Sequence, residues 1–161
     1  MLFPTHLVAG YLLARVIPVP VPWVILGAAL PDLIDKPLAM LGVTSLYHTV
    51  GHSIVFLVGL GVLSFFGRRW FALWIGVLSH LFLDALQMAV NGRPGDAQFL
   101  LWPFVHHEPE IAKPPIEFAI YYVGTPSFAL ELLIWAGAGI LVGTDVWARI
   151  RRRDGPGSAS P

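Results

Sequence analysis

The stretch WFALWIGVLSHLFLDALQMAV, residues 70–90, decides the class of fold. It is long enough for a membrane-spanning helix, which needs about 20 mainly apolar residues, yet it carries His80 and Asp84. An Asp at the bilayer centre costs about 2.5–3.5 kcal/mol on insertion scales, so the pair needs partners that offset its burial. At i and i+4 the two side chains share one helix face. Two further segments, residues 47–67 and 127–150, pass the same length test. Arg68-Arg69 separates the first two spans, and Arg149, Arg151, Arg152 and Arg153 close the third. Residues 4–30 are also apolar but are interrupted by Pro18, Pro20 and Pro22. Pro breaks the helical ladder, so this region reads as two short helices joined by a turn.

The composition agrees. Of 161 residues, 56% are hydrophobic and 12% charged, against about 25% charged in an ordinary soluble domain. Ten Lys and Arg balance ten Asp and Glu, which leaves no basic face for nucleic acid. Cys is absent, so disulfides, thiolate nucleophiles and Cys-type zinc sites are excluded, and metal chemistry falls to His, Asp and Glu. The first basic residue, Arg15, lies well inside the apolar N-terminal stretch, unlike the charged start of a cleaved signal peptide. Residues 91–125, with Pro94, Pro103, Pro109, Pro114 and Pro115, read as a non-helical loop. Its Phe99, Trp102, Phe104, Tyr121 and Tyr122 suit the aromatic belt of a membrane interface. Residues 1–153 read as one membrane-embedded helical domain and residues 154–161 as a disordered tail. Gly139 and Gly143 form a G-x-x-x-G pair of the kind that packs helices together.

The remaining polar residues gather in a few motifs. Residues 47–53, Y-H-T-V-G-H-S, place His48 and His52 on one helical face, and residues 30–37, L-P-D-L-I-D-K-P, place Asp32 and Asp35 about one turn apart at a turn between helices. His6 stands near the start of the first short helix. If the Arg-rich ends face the cytoplasm, then His6, Asp32, Asp35, His48, His52, His80 and Asp84 all fall in the outer half of the membrane or at its outer edge. Imidazole nitrogen and carboxylate oxygen both bind zinc at about 2.0–2.2 Å, and carboxylates can bridge two ions. This set therefore suits two or more zinc-like divalent ions, whose charge also neutralises the buried carboxylates. Taken singly, each residue has a plainer reading: His48 as an interfacial side chain, Asp32 or Asp35 as a cap or turn residue. His106, His107 and Glu108 read as solvated loop residues with a further ligand or acid/base as the alternative, and Glu131 as an interfacial charge with a general base as the alternative. Asp96, Glu110 and Glu117 read as solvated charges.

The series T-H-L-V-A-G, L-P-D-L-I-D-K-P, Y-H-T-V-G-H-S, S-H-L-F-L-D and L-L-W-P-F, spread in order over residues 3–104, resembles the YdjM-type family of small membrane-bound, predicted metal-dependent hydrolases. More distantly, the His/Asp pattern is similar to that of zinc-dependent phospholipase C and its nuclease relatives. Tyr47 stands where many members have the first His of H-R-x-x-T-H-S, and Gln87 where a Thr is common. The resemblance implies a hydrolase in which metal ions activate water, with Asp32, Asp35 and Asp84 as the catalytic carboxylates. A site near the headgroups would suit a membrane lipid or another amphiphilic or phosphoester substrate.

The resulting expectation is an all-α integral membrane bundle of three spanning helices plus two short N-terminal ones, with a divalent-metal site toward the extracytoplasmic side. Two other classes use the same residues. Intramembrane His and Asp build metal or proton transport paths, and His52 with His80 could serve as the axial ligands of a bis-His haem protein.

Overall fold

The computed structural model describes residues 1–111 and 113–153; the tail expected at 154–161 lies outside the described residues. Every regular element among them is helical. Helix α1 (Phe3–Val16) opens with Pro4 in its first turn, where a missing N–H costs nothing, and ends just before the Pro18–Pro20 turn. Helix α2 (Val21–Met40) follows with Pro22 at its start. Next come α3 (Ile54–Ser64), α4 (Arg68–Val90), a 3-10 segment (Pro94–Leu101), α5 (Pro115–Tyr122) and α6 (Pro126–Arg153).

Four features differ from the sequence expectation. Two helices, not three, are long and apolar enough to cross a membrane: α4 and α6. The third expected span, residues 47–67, yields only the 11-residue α3. Its first residues fold as a turn whose backbone N–H groups are taken by Asp35, and the Ser53 hydroxyl caps the helix by accepting from Phe56 N at 3.1 Å. At the other end Gly67, with φ 149°, forms the break before α4. Second, the N-terminal pair is not two short helices, since α2 runs for 20 residues through Pro31 and Pro37. The L-P-D-L-I-D-K-P stretch is therefore helix, and Asp32 and Asp35 project from it. An interior Pro interrupts the ladder; here the buried Pro31 packs against Gly51, where a Cβ would lie 2.9 Å from the Pro31 backbone. Third, residues 91–125 are partly helical, because Pro94 and Pro114-Pro115 start elements, with Asp96 and Glu117 in the first turns, where carboxylates favour the helix dipole. Fourth, a Cβ at Gly139 or Gly143 meets nothing within 4 Å, so the G-x-x-x-G pair packs against no other part of the described chain.

The core is the α2–α4 contact, with α1 laid on α2, α3 on α4, and α6 touching α1 and α4. Two glycines make the crossing close: a Cβ on Gly27 would sit 2.1 Å from the Leu73 carbonyl oxygen, and one on Gly76 would sit 2.2 Å from that of Val24. Val24, Ala28, Ala72 and Val77 fill the contact and are fully buried. This crossing brings Asp32 of α2 opposite His80 and Asp84 of α4. Helix α6, by contrast, leaves Leu132, Leu133, Ile140, Val146, Trp147 and Ile150 exposed, an apolar surface suited to lipid.

Arg15, Arg68 and Arg69 lie at the end of the bundle away from that crossing's carboxylates. Arg15 at the end of α1 pairs with Asp145 late in α6 at 2.6 Å. Arg68 donates to the Pro18 carbonyl in the α1–α2 turn, and Arg69 lies over the Trp23 ring at 5.8 Å.

Candidate metal centre

His6, Asp32, His52, His80 and Asp84 are all buried, while His48 is partly exposed at the edge. They come from α1, α2, the turn before α3, and α4, and their donor atoms converge. His80 Nε2 lies 3.1 Å from His52 Nε2, 3.1 Å from Asp84 Oδ2 and 3.8 Å from Asp32 Oδ1. His52 Nε2 lies 3.5 Å from Asp32 Oδ1 and 3.6 Å from Asp84 Oδ2. His6 Nε2 is 3.2 Å from Asp84 Oδ1, and His48 Nε2 is 4.0 Å from Asp84 Oδ2. These separations are close to the edge of a tetrahedron with metal–ligand bonds of about 2.0–2.2 Å, roughly 3.3–3.6 Å. Three donor groups result: His6, His80 and Asp84; Asp32, His52 and His80; His48, His52 and Asp84. Shared members link the three groups into one centre.

The ring orientations are set from behind. His80 Nδ1 donates to the Ala28 carbonyl at 2.7 Å, and His52 Nδ1 donates to Asp35 Oδ2 at 2.8 Å. A carbonyl or carboxylate partner on one ring nitrogen fixes the tautomer and leaves the other nitrogen with its lone pair. In neutral His52 and His80 both Nε2 lone pairs therefore face each other and the carboxylate oxygens of Asp32 and Asp84. Acceptors this close repel unless a cation lies among them. Without a metal, a proton on His52 fills that role: burial opposes its charge, but Asp32, Asp35 and Asp84 outweigh burial and push its pKa up to about 10. His6 makes the same demand differently, since its Nδ1 is buried without a hydrogen-bond partner and its Nε2 has only the Asp84 carboxylate, at 3.2 Å, while its ring stacks on His80 at 3.7 Å. Buried polar atoms are rarely left unpaired, and a metal ligand is one reason for an exception. The donor set thus fits divalent ions.

Asp35 occupies a different place from the ligand expected. Its carboxylate accepts backbone N–H groups from Thr49 at 2.7 Å, Gly51 at 2.9 Å and His52 at 3.1 Å, besides the His52 ring. With its acceptor positions turned to the 49–52 turn, it positions His52 from behind. The haem alternative fails on geometry: axial ligands stand on opposite faces of a macrocycle, and 3.1 Å between the two Nε2 atoms leaves no room for one. Away from the centre, toward the Arg-rich end, the buried α4 face is apolar through Ala72, Leu73, Ile75 and Val77.

A cavity of about 70 Å³ opens beside the donors, lined by Asp32, His48 and Asp84 and by Lys36, Gln87, Arg93, Asp96 and Lys113, with Leu46, Tyr47, Ile111 and Phe118 among its walls. Several of these polar residues escaped the sequence reading. Lys36 pairs with Asp32 at 2.5 Å, an i,i+4 spacing visible in the sequence. Met1 N lies 2.6 Å from Asp84 Oδ1 and 3.0 Å from Gln87 Oε1. Asp96 is buried, not solvated: it accepts from Arg93, from His107 at 2.9 Å and from Glu110 N at 3.1 Å. Burial alone would raise its carboxyl, but His107, the Glu110 N–H and Arg93 hold it below the usual carboxylate range. His107 thereby serves as a latch on residues 105–111. Glu131 is likewise buried, not interfacial, and accepts the Leu2 N–H at 2.6 Å.

Among the described residues every regular element is helical, two helices are apolar and of membrane-spanning length, and a buried His/Asp cluster that could hold a metal ion sits where α1, α2, the turn before α3 and α4 meet; these features define a class of small helical membrane proteins. Residues 1–150 match the YdjM inner membrane protein family, and the chain belongs to it. No curated protein and no solved structure matches the chain.

Proposed function

We propose that this protein is a membrane-bound metal-dependent hydrolase whose centre takes two or more divalent ions of the zinc type. The observation that carries the reading is the set of facing donor atoms: the His52 and His80 Nε2 atoms, the Asp32 and Asp84 carboxylates, and His6 Nε2 beside Asp84. When bound, such ions act as Lewis acids on an ester oxygen and lower the pKa of water toward about 7. The chain supplies the rest. Ala28 and Asp35 aim the two imidazoles, which keeps the donors preorganised. Asp32 and Asp84, which line the cavity, would hold the ions, and a carboxylate oxygen not engaged by an ion would accept the proton released when water attacks. The apolar walls from Leu46, Ile111 and Phe118 exclude bulk water and receive the lipid-like part of an amphiphilic ester.

The location supports a lipid-side substrate. Arg15, Arg68 and Arg69 lie at the opposite end of the bundle from the centre, with Arg93 beside it, and the positive-inside rule favours the first end for the cytoplasm, which supports a centre on the extracytoplasmic side.

Purified protein in detergent tests the reading with amphiphilic phosphate and carboxylate esters. Turnover that stops on chelation, returns with zinc and is lost in Asp84→Asn is expected. Turnover indifferent to both chelator and Asp84→Asn refutes it.

A further inference from the structure

Asp96 and His107 form a carboxylate–imidazole pair that the metal donor groups do not use. Asp96 is 2% exposed and is fixed from two sides, by Arg93 Nη1 on Oδ2 and by the Glu110 N–H on Oδ1. Its carboxyl is held below the usual range, so it stands as a carboxylate, which only accepts hydrogen bonds. His107 Nε2, 2.9 Å from Oδ1, therefore carries a hydrogen and donates it. That fixes the tautomer: any proton His107 gains or gives up passes through Nδ1. Among the described residues Nδ1 has no hydrogen-bond partner, and the His107 side chain is 25% exposed. The ring is held on one side and open on the other.

The pair stands beside the metal donors. His107 lines a small cavity together with His48, Phe99 and Asp96. Leu46, Tyr47, His48, Met88, Asp96 and Pro109 line both this cavity and the larger one that reaches Asp32 and Asp84, so the two adjoin. The small cavity measures about 20 Å³, room for about one water. His48 belongs to the donor group of His48, His52 and Asp84. The His107 ring thus meets the edge of the centre across the space of a single water, a separation over which general acids and bases work. Its neighbours His106 and Glu108 are exposed.

Ester hydrolysis asks for two proton movements. The carboxylates of the centre take the proton of the attacking water; the oxygen that departs needs a proton of its own, unless it is stable as an anion. We infer that His107, oriented by Asp96, is the general acid that protonates the leaving-group oxygen. The inference rests on the hydrolase reading and adds a substrate class to it: esters of alkanols, whose alkoxides leave poorly. As the bond to that oxygen breaks, its electron pair stays on the oxygen and the Nδ1 proton joins it, which releases an alcohol. His107 then regains a proton from solvent, where the one lost by the attacking water ends. Asp96 is a positioning residue: it holds the ring and balances the imidazolium charge without changing its own protonation.

The zinc-loaded full chain in detergent is tested with pairs of esters that share an acid part and differ in the leaving group: para-nitrophenyl and decyl butanoate, and para-nitrophenyl and decyl phosphate. Nitrophenolate leaves without a proton; decanolate does not. General acids contribute about 100–10,000-fold, so His107→Gln, which keeps an N–H for Asp96 but has no proton to give, is expected to slow the decyl ester about 100-fold or more and the nitrophenyl ester at most a few-fold. Asp96→Asn is expected to move the ratio of the two rates in the same direction. That ratio is the readout, because loosening of residues 105–111 slows both esters alike. Zinc content, measured on the same samples, should stay at the parental level in both variants. Equal slowing of the two esters, or none, overturns the general acid, as does a parent that cleaves only nitrophenyl esters. Zinc lost from His107→Gln overturns it in favour of a metal ligand. A zinc-loaded parent that cleaves no ester of either kind overturns the hydrolase reading itself, and the inference with it.

Discussion

Replacing Asp35 by Asn alters one atom of a side chain that touches no cavity wall, yet it is expected to loosen the metal. In the parent, Asp35 Oδ2 accepts from Thr49 N, His52 N and His52 Nδ1, and Oδ1 accepts from Gly51 N. Asn keeps one oxygen for the first three contacts but turns an NH2 group toward the Gly51 N–H, so one hydrogen bond becomes a donor–donor clash. The charge that orients His52 is lost as well. Partners behind a ligating His are worth about 10–100-fold in metal affinity, or about 1.4–2.7 kcal/mol at tenfold per 1.4 kcal/mol. Zinc affinity, measured by competition with a chromophoric chelator, should fall within that range while helix content by circular dichroism stays at the parent level. A folded Asp35→Asn protein with parental zinc affinity would refute the orienting role, and with it the claim that His52 Nε2 faces a metal.

The α2–α4 crossing makes Gly76→Ala a sensitive probe. The new Cβ would lie 2.2 Å from the Val24 carbonyl oxygen, forcing the helices apart at a cost of about 1–3 kcal/mol. A lower melting temperature together with weaker zinc binding is expected, and an unchanged melt would contradict the close approach. The Asp96 latch gives a pH dependence. Its carboxyl is held below the usual range, so its contribution is complete above the unfolded value of about 3.9 and is lost as pH falls through the lower folded value. Limited proteolysis of residues 105–111 should therefore rise at strongly acidic pH, and Asp96→Asn should show the same cleavage at pH 7. Equal protection in parent and variant would contradict the latch. Removal of metal by chelation should lower the melting temperature of the parent, since ligands that bind only the folded state stabilise it, and should leave that of Asp84→Ala unmoved.

Much of the centre was legible because intramembrane charge is costly, so an S-H-L-F-L-D motif inside an apolar helix signals a compensating partner. The i,i+4 spacing of His80 and Asp84 and the pairing of Asp32 with the histidines follow from that cost. The role of Asp35 was not legible, because its partners are backbone N–H groups of a turn, and a turn inside an apolar stretch reads as more helix. The same ambiguity made residues 47–67 read as a span. Pro31 and Pro37 hid the length of α2, since helix packing against α4 overrides the local preference that Pro signals. Asp96 and His107 read as solvated loop residues; the burial of Asp96 and its contact with His107 depend on a fold-back of residues 105–111 that no periodicity announces. The Arg93–Asp96 spacing, three apart across the Pro94-Gly95 step, was the one local hint.

The most direct measurement is the divalent-metal content of the purified chain by elemental analysis, beside His80→Ala and Asp84→Ala prepared identically. At least two ions per parent chain, with loss in both variants at retained helix content, is the expected result. Equal metal content in the parent and both folded variants, or none in the parent after zinc loading, would contradict a centre built on these side chains.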